Sequence, residues 1–272
     1  MPFYAWGDSG SRTALVLLHG AGPHGRSYES LARALEGEGV ATLTIDQCGF
    51  GATTGLRGDA RLFAKYLEDC ALALEAAHAR WPQAKVSLAG HSFGGLVALR
   101  YCLDYAGKRG PAPCKLVLIA AWIKDRLRVP WRRIAAGMLD AVVRPTKSYT
   151  VPISVFETGD PQNWAALCAF DRDPLRVNAV TARWFLRSAR AKLGLFSRSR
   201  ALRLPVLQLE GEKDALVDAP TNRKLFAALG SSDKRLSVLA GVYHDAQLQA
   251  DISALAVPIA RFLRADSQRT AR

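Results

Sequence analysis

A chain of 272 residues, 49% hydrophobic and 22% charged, is long enough for one large domain and too apolar to be disordered. Its longest apolar run, residues 116–123, falls well short of the roughly 18 residues a membrane span requires. The net charge of +13 raises nucleic acid as a partner, but residues 122–203 alone hold 16 Lys or Arg against 6 Asp or Glu, without a C2H2 or RNA-recognition signature, so no nucleic-acid partner is expected.

The N-terminal stretch has no basic segment followed by an apolar one, so no signal peptide is expected. Residues 14–18 are continuously apolar, as in a strand buried on both faces. Residues 26–36 carry Tyr28, Leu31 and Leu35 at helical spacing, and 40–45 form the next strand. A long helix is predicted over 59–80, with Leu62, Tyr66, Leu67, Cys70, Leu74 and Ala77 on one stripe and Pro82 as its stop. Strand 85–89, helix 93–105 and strand 115–121 follow. Such alternation implies parallel pairing through right-handed crossovers.

Residues 122–203 break the pattern with five prolines and four of the six tryptophans. Trp131, Ile134, Met138 and Val142 predict an amphipathic helix that lays its stripe on the core beneath. The competing reading is a helix that touches an anionic lipid surface, flanked by Arg126, Arg128, Arg132 and Arg133. Asp173-Pro174 pairs an N-cap residue with proline at N1 and predicts a second helix there. Alternation returns with strand 204–209, helix 220–229, strand 235–239 and a last helix over 246–263, before a polar, frayed tail at 265–272. The division expected is an α/β core of residues 1–121 and 204–272, with a helical cap at 122–203. The five cysteines (48, 70, 102, 114 and 168) show no CxxC spacing, which argues against disulfides or zinc and for a reducing, cytoplasmic location.

Gly90-His91-Ser92-Phe93-Gly94 joins a predicted strand to a predicted helix. So sharp a turn crowds the backbone, and glycines two residues either side of the serine relieve it. Ser92 is thereby the candidate nucleophile; the bland alternative is a glycine-rich turn with a capping serine. A hydroxyl needs a base. Of the five histidines, His244 follows the last predicted strand, at the sheet edge where ligands bind in open α/β sheets. An orienting carboxylate is expected just past strand 204–209, and Asp214 is preferred over Glu212 and Asp218, the last being placed to cap the helix at Ala219-Pro220. The oxyanion donors expected are the backbone amides of Phe93 and Ala21, with Gly22 as second choice in the turn His19-Gly20-Ala21-Gly22. His19 is expected to brace that turn.

These pieces, in the order Ser92, Asp214, His244, resemble the α/β-hydrolase superfamily: a mostly parallel sheet, helices on both faces and a helical cap insertion. The run from His19 to Tyr28, the elbow followed by Gly95, and Asp46-Gln47-Cys48-Gly49-Phe50-Gly51 narrow the resemblance to the monoacylglycerol lipase and lysophospholipase-like group. Asp173-Pro174-Leu175 and Thr181-Ala182-Arg183-Trp184-Phe185 are similar to part of that group's cap. Cys48 and Phe50 stand where arginine and histidine are usual, and Asp-Ala-Gln-Leu after His244 lacks the acidic and asparagine residues of true monoacylglycerol lipases. Eighteen residues precede His19, where family members often have two further strands, so a sheet trimmed at that edge is expected, with 3–6 as a short strand.

The resemblance implies two-step acyl transfer on a lipid-like or small ester, without metal or organic cofactor. Turnover is expected to fade as pH falls through the His244 pKa, near ~6.5. A thioesterase, amidase or acyltransferase on the same three residues is the neighbouring alternative, and a ligand-binding protein on a hydrolase scaffold the non-enzymatic one. Oligomeric state is not legible.

Overall fold

In the computed structural model, which describes residues 1–126, 129–150 and 154–265, the apolar stretch predicted at 14–18 becomes a central strand of the sheet. Strands β1 (Phe3–Trp6) and β2 (Thr13–Leu18) precede α1 (Glu29–Gly37), β3 (Ala41–Ile45), α2 (Ala64–Arg80), β4 (Lys85–His91), α3 (Phe93–Asp104) and β5 (Leu116–Ile119). The chain then leaves the sheet through α4 (Trp131–Val143), β6 (Ser148–Thr150), α5 (Val155–Thr158), α6 (Trp164–Asp171), β7 (Ala179–Thr181), α7 (Ala182–Ala191) and α8 (Leu195–Arg198). It returns as β8 (Val206–Gly211), α9 (Ala219–Ala228), β9 (Lys234–Leu239) and α10 (Ser253–Arg264).

The sheet runs β1-β3-β2-β4-β5-β8-β9, and every pair is parallel except β1 with β3. Successive side chains of a strand point to opposite faces, which explains the unbroken apolar run of β2. Ala14, Val16 and Leu18 pack with α2 and α3 residues on one face, while Leu15 and Leu17 pack with Leu31, Leu35, Leu255 and Ile259 of α1 and α10 on the other. Both faces are covered, as parallel sheets require. The strand at 3–6 is present and closes that edge antiparallel to β3.

Several predicted elements differ. The helix predicted over 59–80 starts only at Ala64, because Asp59 has another task. Its buried carboxylate accepts from Thr181 Oγ1 (2.5 Å) and Arg183 Nε (2.7 Å), with a second guanidinium contact through Nη2. The Thr181 amide donates to Gly58 O (2.9 Å). Gly58 sits at φ +65°, and a Cβ there would lie 2.1 Å from Ala179 O. Residues 58–59 therefore anchor the excursion rather than begin a helix. Burial alone would raise the Asp59 pKa; the Arg183 and Thr181 hydrogen bonds outweigh it and hold the carboxyl below its ordinary range. Asp59→Ala strips a half-exposed arginine of its partner and is expected to cost about 2 kcal/mol, lowering the melting temperature by about 5 °C in calorimetry. An unchanged melting temperature would remove the anchor from the account.

No helix begins at Asp173-Pro174. Asp173 Oδ1 accepts from the Leu175 amide (2.8 Å) in a turn, and the next helix is α7, capped by Thr181. The excursion is also not wholly helical, since β6 pairs antiparallel with β7. The helix predicted over 246–263 divides into a short 3-10 turn, Ala246–Leu248, and α10; Asp160 Oδ2 takes the Ala250 amide (3.0 Å) at the break.

The largest correction concerns α4. Its stripe does not pack on the core: Trp131 is 72%, Ile134 41%, Met138 54% and Val142 74% exposed. The helix instead buries Asp140, whose carboxylate takes hydrogen bonds from Arg144 Nε (2.8 Å), Lys147 Nζ (2.7 Å) and the Tyr149 hydroxyl. The Lys147 hydrogen bond leads in pulling Asp140 down to about 2. Arg128 and the predicted frayed tail beyond Ala265 lie outside the described residues.

Candidate active site

β4 passes directly into α3, and Ser92 at the junction adopts φ +50°, ψ −113°. A non-glycine residue there is strained and persists only where its surroundings hold it. Backbone hydrogen bonds do so, among them these three. The Ser92 amide donates to Ile119 O (2.9 Å), and its carbonyl accepts from the amides of Trp122 (2.9 Å) and Gly95 (3.0 Å). The glycines predicted to relieve crowding are sterically obligatory: a Cβ on Gly90 would lie 2.2 Å from Gly94 O, and one on Gly94 2.3 Å from Leu18 O.

The structure brings together the three residues expected to meet. Ser92 Oγ lies 3.1 Å from His244 Nε2, and His244 Nδ1 lies 2.8 Å from Asp214 Oδ2. A carboxylate only accepts, so the proton sits on Nδ1 and Nε2 faces the serine hydroxyl as an acceptor. Asp214 is oriented in turn, its Oδ1 taking the amides of Leu216 (2.8 Å) and Val217 (3.1 Å). The rivals lie elsewhere: Asp218 caps α9 through the Thr221 amide (3.0 Å), and Glu212 takes the Gly241 amide (2.9 Å). Burial would lower the His244 pKa, but the hydrogen bond and charge of Asp214 more than offset it and the net direction is upward. Asp214 moves down: burial opposes its ionisation, but the hydrogen bond and charge of His244 together with the Val217 and Leu216 amides outweigh it.

The turn after β2 lies against the elbow. A Cβ on Gly20 would be 3.4 Å from Ser92 Cβ, so glycine permits the approach. Neither the Ala21 nor the Phe93 amide has a hydrogen-bond partner among the described residues, which leaves both free to donate beside Ser92. Gly22, the second choice, stands at φ +107° with its carbonyl bound to the Val177 amide (2.9 Å). His19 braces the turn as expected. The Gln47 amide donates to its Nε2 (3.0 Å), so Nδ1 carries the proton and donates to Gly20 O (2.7 Å). Burial pushes His19 down to about 4, which keeps it neutral.

Sequence reasoning missed a second histidine chain. His91 Nε2 donates to His244 O (2.8 Å), and its Nδ1 accepts from the Tyr28 hydroxyl (2.6 Å), which itself accepts from the Gly20 amide (3.1 Å). Burial lowers His91 to about 4. The available signal was Tyr28 on an apolar helix stripe, because a buried tyrosine hydroxyl needs a polar partner. Also missed was the aromatic wall behind the elbow. Phe93 packs on Tyr66 (4.9 Å between ring centroids) and Trp184 (5.0 Å), and Trp184 stacks on Trp122 (6.0 Å, 9° between planes). Phe50, at the position where histidine is usual, joins this wall and touches His19 (5.5 Å). Lys192 Nζ sits 3.4 Å over the Trp122 ring, and burial lowers its pKa to about 8.

Strand order and elbow together define the chain as an α/β-hydrolase. More particularly, the sequence profile of the serine aminopeptidase (S33) family matches residues 9–251, and the chain belongs to that family. Human monoglyceride lipase is 27% identical over 243 residues, covering 88% of this chain and 78% of the lipase. An uncharacterized abhydrolase domain-containing protein of Dictyostelium discoideum is 25% identical over 235 residues; that match covers 85% of this chain and 24% of the longer protein. The crystal structure of a Paleococcus ferrophilus monoacylglycerol lipase superposes with a TM-score of 0.80 at 23% identity, over 97% of this chain and 98% of that one, which establishes the shared fold.

Proposed function

We propose that this chain cleaves a lipid-like carboxylic ester with Ser92 as nucleophile, His244 as general base and Asp214 as its orienting carboxylate, through an acyl-enzyme. That it is a carboxylic ester hydrolase of the α/β-hydrolase type follows from its family and relatives. The observation that carries the finer assignment is the continuous hydrogen-bonded run from Asp214 through His244 to Ser92 Oγ.

Ser92 Oγ attacks the ester carbonyl as His244 Nε2 takes the hydroxyl proton. The carbonyl oxygen becomes an oxyanion held by the Ala21 and Phe93 amides. His244 returns the proton to the leaving alcohol. The same nitrogen then deprotonates a water that attacks the acyl-serine; collapse frees the acid and restores the serine.

Residues 122–203 serve in this reading as a cap over the nucleophile, with Trp122 and Trp184 as part of the acyl-site wall. The exposed stripe of α4 supports its use on a lipid surface. Trp131, Ile134, Met138 and Val142 offer apolar contact, and the exposed Arg132 and Arg133 beside them suit anionic headgroups. Wild type is expected to co-sediment with phosphatidylglycerol-containing vesicles more than with phosphatidylcholine alone, less so in high salt. Trp131→Glu with Met138→Glu should release it while hydrolysis of a dissolved ester persists. Equal sedimentation of both proteins would remove α4 from the proposal.

The function is tested with matched nitrophenyl esters, thioesters, anilides and monoacylglycerols. Ester turnover exceeding the others supports the reading. Turnover confined to thioesters or amides would replace it with the neighbouring chemistry on the same residues, and saturable binding without turnover would make the chain a ligand-binding protein.

A further inference from the structure

We propose that His24 and Asp173 are positioning residues that couple the excursion to the oxyanion turn, so that the Ala21 amide is aimed at the reacting carbonyl only while residues 173–177 are seated. The inference rests on the assignment of that amide as an oxyanion donor.

The core holds the turn at its two ends. At one end the Gly20 amide donates to Tyr28 Oη (3.1 Å) and the Gly20 carbonyl accepts from His19 (2.7 Å). At the other the Gly25 amide donates to Asp46 Oδ1 (2.8 Å), and the His24 amide donates to Ser27 Oγ (3.2 Å). Between these ends, among the described residues, the turn's hydrogen bonds go to the excursion. The Val177 amide donates to Gly22 O (2.9 Å), and the buried His24 ring donates from Nε2 to Asp173 Oδ2 (2.8 Å). The ring also faces the Ser27 amide in a capping-box arrangement at the start of the next turn, so the Asp173 bond is what ties it to the excursion.

Geometry makes the turn depend on that tie. Gly22 at φ +107° lies in a region that glycine enters freely, and a flexible residue there does not by itself hold its neighbour's amide in place. A Cβ on Gly22 would lie 3.2 Å from Val177 O, so the two segments are in close contact. The partner segment is itself pinned. Arg57 Nη2 donates to the carbonyls of Pro174 (3.2 Å), Leu175 (2.8 Å) and Arg176 (3.1 Å), while its Nη1 donates to Gly51 O (3.1 Å). A displaced oxyanion donor weakens the transition state more than the ground state.

Asp173→Ala is therefore expected to lower kcat on a short nitrophenyl ester by about 10- to 100-fold with KM within about twofold, and to weaken inhibition by a boronic acid by the same factor as kcat. Asp173→Asn, which keeps an acceptor for His24 Nε2, should recover most of the rate. Amide hydrogen exchange at Val177, whose N–H is the one bonded to Gly22 O, should quicken in Asp173→Ala while the β2 amides stay protected, a change a merely structural loss would not confine to this contact. His24→Phe, which keeps a ring and removes the bond, should repeat the kcat loss and serves if Asp173→Ala does not fold. Wild-type kcat in either bond-deleting variant would overturn the coupling, as would Asn failing to recover rate in a folded protein. Ser92→Ala is measured alongside. If it retains wild-type turnover, the assignment of the site falls; if it is inactive while Asp173→Ala is not, the coupling alone falls.

Discussion

Ser92→Ala is expected to lower kcat on a nitrophenyl ester by about 10⁴-fold or more, with KM little changed and the melting temperature not reduced. The rate falls because, among the described residues, Ser92 supplies the hydroxyl that is hydrogen-bonded to His244 Nε2. A residue of turnover should survive, since the Ala21 and Phe93 amides would still stabilise an oxyanion formed by direct attack of water. Stability should hold, because alanine keeps the Cβ and with it the same strain at φ +50°, and the lost hydroxyl packs no core. Michaelis–Menten analysis with calorimetry on the same preparation checks both halves. A kcat within tenfold of wild type would remove Ser92 from the chemistry.

Asp214→Asn should cost about 10⁴-fold in kcat and change the pH profile as well. An asparagine can present its amide N–H to Nδ1, which turns the imidazole proton onto Nε2 and denies the serine its acceptor. The sign of the pH effect follows from the same pair. His244 works as a base only when neutral, and Asp214 holds its pKa above the ordinary 6.5. The acid limb of kcat/KM in wild type should therefore have its midpoint above 6.5, not near it as the sequence alone suggests. Removing the carboxylate leaves burial, which favours the neutral ring, so the limb of the residual Asp214→Asn activity should move to lower pH. A limb that moves upward, or does not move, would mean another group sets the profile.

Where local pattern decides structure, reading the chain from its residues worked well. The period-two covering of β2, the elbow glycines and the carboxylate past β8 are each fixed by a few neighbouring residues, so the meeting of Ser92, Asp214 and His244 was legible. Failures cluster where a distant partner overrides a local signal. Asp59 and Asp173 both read as helix starts, yet one is taken by Arg183 and Thr181 and the other by His24, more than a hundred residues away in each case. The α4 stripe has helical periodicity whichever way it faces, and what turns it outward is Asp140, a buried carboxylate whose partners Lys147 and Tyr149 lie beyond the helix. The Tyr28–His91 chain was invisible for the same reason, since it joins residues 63 apart.

Stoichiometric labelling reports whether His244 makes a single serine nucleophilic. Incubated with a fluorophosphonate, the wild-type protein should gain the mass of a single phosphonyl group, mapped by peptide sequencing to Ser92, as esterase activity disappears in proportion. His244→Ala should label far more slowly and Ser92→Ala not at all. A label on another residue, or full turnover in protein already phosphonylated at Ser92, would contradict the account.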